Sequence, residues 1–226
     1  MTFHALDNPI WQALTTRQAH LAVMGEKAGR YAPEIAPFVA VQAGEATAAQ
    51  PLGHLVEEGE SVYLLGVAPP LRAGWRILER SLVTQMTCQD RLTVPPGPQV
   101  RVLTEEHWPA MLKLTGLVYP GFFRARTPAM GTYLGIYCGD VLAAMAGERM
   151  CLDGYQEVSG VCTHPNYTSR GFAARLVALA TNGILERGLK PFLHVSSTNE
   201  RAKGLYERLG FEYRAELPMW SVQRTS

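Results

Sequence analysis

From residue 99 onward the hydrophobic positions follow a regular rhythm, switching between a period of two and a period near 3.6. Gln99–Leu103 alternates like a strand, and Trp108–Val118 sets Met111, Leu114 and Val118 on one helical face. Tyr133–Cys138 and Val141–Met150 read as strands joined by Gly139-Asp140. A second turn, Asp153-Gly154, leads into a strand over Tyr155–Thr163. After the loop His164–Ser169, a helix over Gly171–Arg187 turns Phe172, Leu176, Val177, Leu179 and Ile184 inward and closes at Gly188. Pro191–Val195 has the composition of a buried strand. Asn199–Leu209 places Ala202, Leu205, Tyr206 and Leu209 on one helical stripe. Ser197 with Glu200 fits a capping box, Gly210 fits the left-handed position past the helix end, and Phe211–Arg214 and Met219–Gln223 read as final strands.

The first 93 residues are less regular. They predict a helix near Asn8–Val23, strands over Pro37–Ala43 and Ser61–Val67, and a helix over Ala73–Met86 carrying Trp75, Leu78, Leu82 and Met86 at helical spacing. Val94-Pro-Pro-Gly-Pro98 has neither period and reads as a stiff linker. The predicted organisation is therefore an N-terminal lobe (1–93), a Pro-rich linker (94–98) and a main domain (99–226). Leu65-Gly-Val-Ala-Pro-Pro70 followed by a helix echoes Ser159-Gly-Val-Cys-Thr-His-Pro165 followed by a helix. Duplication and chance both account for so short a match. Under duplication the first lobe is a degenerate α/β copy without the later glycine loop.

Composition narrows the class. The 226 residues are 47% hydrophobic and 18% charged with a net charge of +1, which is globular and gives no field to gather nucleic acid or anionic lipid. Cys88, Cys138, Cys151 and Cys162 form no CxxC pair, so reduced thiols are expected and a metal site is not. Met1–Asp7 lacks the basic and apolar stretches of a secretion signal, and no apolar run approaches the ~18 residues of a membrane span. A soluble, cytoplasmic small-molecule enzyme is the expectation, with no nucleic-acid or membrane partner; a homodimer is compatible with it.

The chemistry concentrates in Val158–Arg208. Here a strand ends at Thr163, and Ser169-Arg170-Gly171-Phe172-Ala173-Ala174 opens a helix. Small residues keep that first turn bare, so its unpaired N–H groups face outward at the positive end of the helix dipole and form an anion site. Thr168-Ser-Arg-Gly171-Phe-Ala173, followed by Asn199-x-x-Ala202-x-x-Leu205-Tyr206-Glu207-x-Leu209-Gly210-Phe211, resembles the GNAT superfamily of acyl-CoA-dependent N-acyltransferases. The family loop begins with Gln or Arg, and Thr168 departs from it, which removes a side-chain contact and leaves the backbone cradle. The Gly160–Pro165 and Phe192–Val195 segments are similar to the C-terminal domain of glycine N-acyltransferases.

That resemblance implies an α/β (α+β) fold: a mixed, mostly antiparallel central sheet with splayed central strands, flanked by helices. It also implies acetyl-CoA as co-substrate and an amine acceptor, with no metal. The pyrophosphate would lie on the amides of Ser169, Arg170, Gly171, Phe172, Ala173 and Ala174. The pantetheine arm would run beside Val161, Cys162 and Thr163, near Asn199, and the Val161 N–H would face the thioester oxygen. Tyr206 is the implied acid for the leaving thiolate; on its residues alone it reads equally as a core tyrosine. Glu157 is the candidate base, fourteen residues before Gly171, a semi-buried carboxylate expected to have a raised pKa and, by strand parity, to share a face with Ser159 and Val161. A solvated or paired glutamate is the other reading, and Glu148 is the reserve. His164 reads as structural or near the cofactor, and His194 as a satisfied core histidine. Phe122-Phe123 reads as acceptor-pocket lining or as plain packing. The implied activity is N-acetyl transfer to a primary amine of a small molecule or amino acid; the alternative is a catalytically weak acyl-CoA-binding or sensing protein of the same fold.

Overall fold

The strand periods of the second half assemble into one eight-stranded mixed sheet in a computed structural model, which describes residues 4–44, 52–71 and 73–226. In chain order the elements are α1 (Pro9–Thr15), β1 (Ala22–Met24), β2 (Ala28–Tyr31), β3 (Val39–Val41), β4 (Ser61–Leu65), β5 (Trp75–Thr87) and β6 (Arg101–Leu103). They continue with α2 (Trp108–Val118), β7 (Tyr133–Cys138), β8 (Val141–Leu152), β9 (Tyr155–Thr163), α3 (Phe172–Glu186), β10 (Lys190–Ser196), α4 (Glu200–Leu209) and β11 (Glu212–Arg224). The large sheet has the order β4-β11-β5-β10-β9-β8-β7-β6, and only β9 and β10 run parallel. A separate three-stranded antiparallel sheet contains β1, β2 and β3.

Both faces of the large sheet are covered around β8, which is why β8 reads as an almost unbroken apolar run. On one face α3 buries Leu176, Val177 and Ile184 against Ala144, Val158 and Leu193. On the other, α2 buries Met111 and Leu114 against Met145 and Cys162, and α1 packs Ile10 and Leu14 near Met150 and Phe192. Among the described residues no helix is long and apolar enough to cross a membrane. The four cysteines are free thiols.

Three expectations are corrected. The helix predicted over Ala73–Met86 is strand β5, paired with β11 along its whole length. Leu78, the extra residue at a bulge in the β5–β11 ladder, and Leu82 set the helical spacing and are 46% and 48% exposed, whereas Ile77 and Val83 pack into clusters on opposite faces of the sheet. β4 and β5 belong to the same sheet as β9–β11. The echo after Leu65–Pro70 also ends there, since the described residues that follow are irregular chain and then β5. Finally, the two short terminal strands are one. Pro218, which suggests a break, lies just beyond the first β4–β11 pair, Met219↔Leu65, and its carbonyl still accepts the Gly66 N–H at 2.9 Å.

Candidate active site

β10 pairs with β9 only from Lys190↔Tyr155 to Phe192↔Glu157. Beyond that point β10 stays with β5 through Ser196, while β9 stays with β8 through Thr163. The strands diverge, and the inner edge of β9 from Val158 onward leaves peptide groups that a ligand can pair. In the same stretch Gly160 and Val161 face only Ala146, between the pairs Gly147↔Ser159 and Met145↔Cys162. This is a β-bulge. Gly160 takes φ 63°, and a Cβ there would come within 2.9 Å of the Tyr133 ring. The extra residue reverses the alternation: Val158 and Val161 pack in the cluster under α3, and Cys162 points to the opposite cluster with Met145. The expectation that Glu157, Ser159 and Val161 share one face therefore fails at Gly160.

The loop after β9 is built as a cradle. His164 caps its first turn, its Nδ1 accepting the Asn166 N–H at 3.2 Å, so this histidine is structural. Ser169 (φ 63°) and Gly171 (φ 76°) are both left-handed and turn the chain into α3. The first bond into the helix is Arg175 N–H to the Gly171 carbonyl, 3.1 Å, so the N–H groups of Phe172, Ala173 and Ala174 precede the ladder. A Cβ on Gly171 would meet open space within 4 Å. These backbone donors and that space fit a pyrophosphate. The Arg170 guanidinium lies 5.1 Å over the Tyr167 ring, and Arg175 donates to the carbonyls of Pro95 and Pro98, fastening the Pro-rich segment to α3. Gly171→Val puts a branched side chain into this space and strains a left-handed residue. Calorimetry should show CoA affinity falling about ten-fold or more, roughly 1.4 kcal/mol, and an unchanged Kd overturns the loop assignment.

Between the diverging strands lies a cavity of about 550 Å³ lined by Ser159, Val161, His194, Arg149, Phe122 and Tyr206, among others. Asn199 also lines it, although its Oδ1 accepts the Ala202 N–H at 3.0 Å and so caps α4. The predicted cap, Ser197, is instead tied to β5, its N–H donating to Leu82 and its hydroxyl 3.2 Å from that of Thr84. Tyr206 is 7% exposed and meets Phe211 edge-on at 6.0 Å. Its hydroxyl has no hydrogen-bond partner among the described residues, and burial pushes its pKa up to about 12.

Glu157 is fully buried in a polar network. Arg149 donates Nε to Oε2 at 2.8 Å and Nη2 to Oε1 at 2.7 Å, the Met150 N–H donates to Oε2, and His194 Nδ1 lies 2.8 Å from Oε1. Burial alone raises a carboxyl pKa, but the Arg149 charge and these donors outweigh it and hold Glu157 down at about 2. The expected semi-buried carboxylate with a raised pKa is thereby reversed. Glu148, the reserve base, is ion-paired with Arg187.

The other side of His194 is equally determined. Gln85 Oε1 accepts from Arg214 at 2.7 Å, so its amide nitrogen faces both the Leu6 carbonyl at 3.0 Å and His194 Nε2 at 2.9 Å. An amide that donates there requires Nε2 as acceptor, which leaves the proton on Nδ1 to donate to Glu157. His194 is a satisfied histidine, as its strand composition suggests, although it also borders the cavity. Phe122 stacks with Phe38 at 6.3 Å and Phe123 meets Tyr133 edge-on at 5.6 Å, so both packing and cavity lining apply to this pair. Sequence reasoning missed Arg149. Its signal is a charged pair, Glu148-Arg149, inside the apolar run of β8.

A family model described as FR47-like protein matches residues 133–221, from β7 into β11. A crystal structure from Novosphingobium aromaticivorans, described as an acetyltransferase from the GNAT family, is 33% identical over 99% of this chain and 100% of its own, with a TM-score of 0.90. The chain belongs to the GNAT family. A GCN5-related N-acetyltransferase from Kribbella flavida is similar at 21% identity over 93% of this chain and 91% of its own, TM-score 0.62. A GNAT-family acetyltransferase from Colwellia psychrerythraea follows at 10% identity over 99% and 98%, TM-score 0.54. These two share the fold. No curated protein matches the sequence. Within the GNAT fold, the splayed β9–β10 pair, the bulge at Gly160 and the Gly171 loop follow one another along β9 and the segment after it.

Proposed function

We propose that this GNAT protein transfers an acetyl group from acetyl-CoA to a primary amine of a small molecule or amino acid. The observation that carries the reading is Tyr206: a buried ring whose hydroxyl has no hydrogen-bond partner among the described residues and lines the cleft between the diverging strands. That donor is free to meet a group that enters the cleft.

Acetyl-CoA, when bound, supplies a thioester carbonyl and a thiolate leaving group. The backbone donors from Ser169 to Ala174 would hold its pyrophosphate, and the Val161–Thr163 edge its pantetheine arm. The Val161 N–H, at the bulge, is assigned to the carbonyl oxygen, where charge develops as the amine attacks. The Tyr206 hydroxyl is assigned to the sulfur and gives up its proton as the carbon–sulfur bond breaks. With a pKa near 12 it stays protonated at any working pH and still donates to a thiolate forming beside it. Glu157 takes a different part from the one expected: held near pKa 2 it accepts no proton from an ammonium, and it positions Arg149 and His194. The amine reacts in its neutral form and passes its proton to water, and water in the cleft returns a proton to Tyr206. Free thiols throughout the chain support a cytoplasmic location.

Thiol release, measured with a panel of amines from pH 6 to 10, tests this. The rate should rise toward the acceptor's own pKa and show no alkaline fall below about pH 10, because Tyr206 does not titrate there. CoA binding without release by any amine assigns the cleft to acyl-CoA binding or sensing instead.

A further inference from the structure

The geometry points to Arg149 as the residue that selects the acceptor, by binding a carboxylate next to the reacting amine. This deepens the proposed reaction and rests on it. A guanidinium has five N–H donors arranged on two bidentate edges. Glu157 occupies one edge, Nε with Nη2. The other edge, Nη1 with the second hydrogen of Nη2, carries no hydrogen bond among the described residues, and the side chain is 16% exposed and borders the cavity.

Three features hold that edge ready. The guanidinium lies over the Phe38 ring, 4.8 Å from its centre, so its plane is fixed. Glu157 fixes its rotation and is itself held by His194 and the Met150 N–H. Its charge is permanent, since burial alone would lower the Arg149 pKa but the Glu157 carboxylate more than restores it. An open, rigid guanidinium edge matches a planar carboxylate in a way an amide or ester cannot.

Charge balance points to the same ligand. Arg149 and Glu157 neutralise each other, and His194 turns Nδ1 to Glu157 and Nε2 to the Gln85 amide. An acceptor with both ammonium and carboxylate is itself neutral, so the buried site stays balanced when it enters. A polyamine would bring further uncompensated cations beside Arg149, which costs energy in so buried a place. The walls nearby are aromatic: Phe38, Phe122 and Tyr63 form one cluster, with Phe122 and Tyr63 4.6 Å apart. That cluster suits an apolar body attached to the amino acid head.

The test sets each L-amino acid against its own α-carboxamide, with acetyl-CoA and thiol detection, on the unmodified protein. At least one large apolar amino acid should exceed its amide by roughly 10²-fold in kcat/KM, the scale of a lost buried polar contact. Amides equal to or better than the acids throughout overturn the assignment and leave acetyl transfer standing. No release with any acceptor overturns the reaction on which it rests. Arg149→Lys keeps the charge and loses the planar edge; it should bring the acid-to-amide ratio near one, mainly through KM. An ammonium also pairs Glu157 less completely than the guanidinium does, so a second variant is needed. Arg149→Met combined with Glu157→Gln removes both charges together, and it should erase the same ratio. Retention of the ratio in a folded variant overturns the assignment.

Discussion

Glu157→Gln should cost the fold about 3–5 kcal/mol at pH 7, the range for breaking a buried ion pair from one side. The amide matches the carboxylate in shape, so no cavity forms. It leaves the Arg149 guanidinium buried without its counter-charge, and one of its two acceptor positions becomes a donor facing other donors. The depressed pKa of Glu157 reflects the same ion pair and gives a figure of the same order. Its pKa falls from 4.5 to about 2 on folding, and that difference corresponds to roughly 3 kcal/mol. The sign follows from the depression. The contribution is complete above the unfolded pKa near 4.5 and is lost as pH falls toward 2. Urea unfolding at pH 7 should therefore separate wild type and variant widely, and the gap should narrow steadily on acidification below about pH 4.5. A variant within 1 kcal/mol of wild type at pH 7 would show that the pair adds little, and that the carboxylate's place in the cleft has some other reason.

The ion pair that sets this cost is invisible in local sequence, whereas much of the fold around it is not. β7 and α2 carry their periods cleanly, and the structure places them, and β9, at the predicted residues. The loop at Gly171 and the helix ending at Gly210 are legible for a related reason: left-handed backbone restricts residue choice, and both glycines take positive φ. Parity along β9 predicts the side of Glu157 relative to Val161 only if no residue is inserted, and the bulge at Gly160 inserts one. The helix predicted over Ala73–Met86 fails because Leu78, at a bulge of β5, and Leu82 are both about half exposed, so apolar spacing there reports no buried stripe. The protonation state of Glu157 depends on Arg149 and His194, which lie 8 residues before it and 37 after it, on two different strands. Local spacing carries no record of such a partner.

Tyr206→Phe should lower kcat by roughly 10²–10⁴ while leaving CoA affinity nearly unchanged. The phenylalanine ring keeps the edge-on contact with Phe211 and the packing against the α3 cluster. Only the hydroxyl is removed, and in the free protein it bonds to no described residue. The folded state therefore loses no internal hydrogen bond, and stability should stay within about 0.5 kcal/mol, so a slow variant cannot be blamed on a damaged fold. The remaining turnover should depend on how readily the thiolate leaves unaided. Thioesters of more acidic thiols should then be transferred by Tyr206→Phe at rates closer to wild type than acetyl-CoA is, because a better leaving group needs less help from an acid. A structural tyrosine predicts a different pattern: a changed Kd, a changed unfolding midpoint, or the same loss with every thioester. If kcat is unaltered, the phenol only packs, and the cleft expels its thiolate without a proton from the chain.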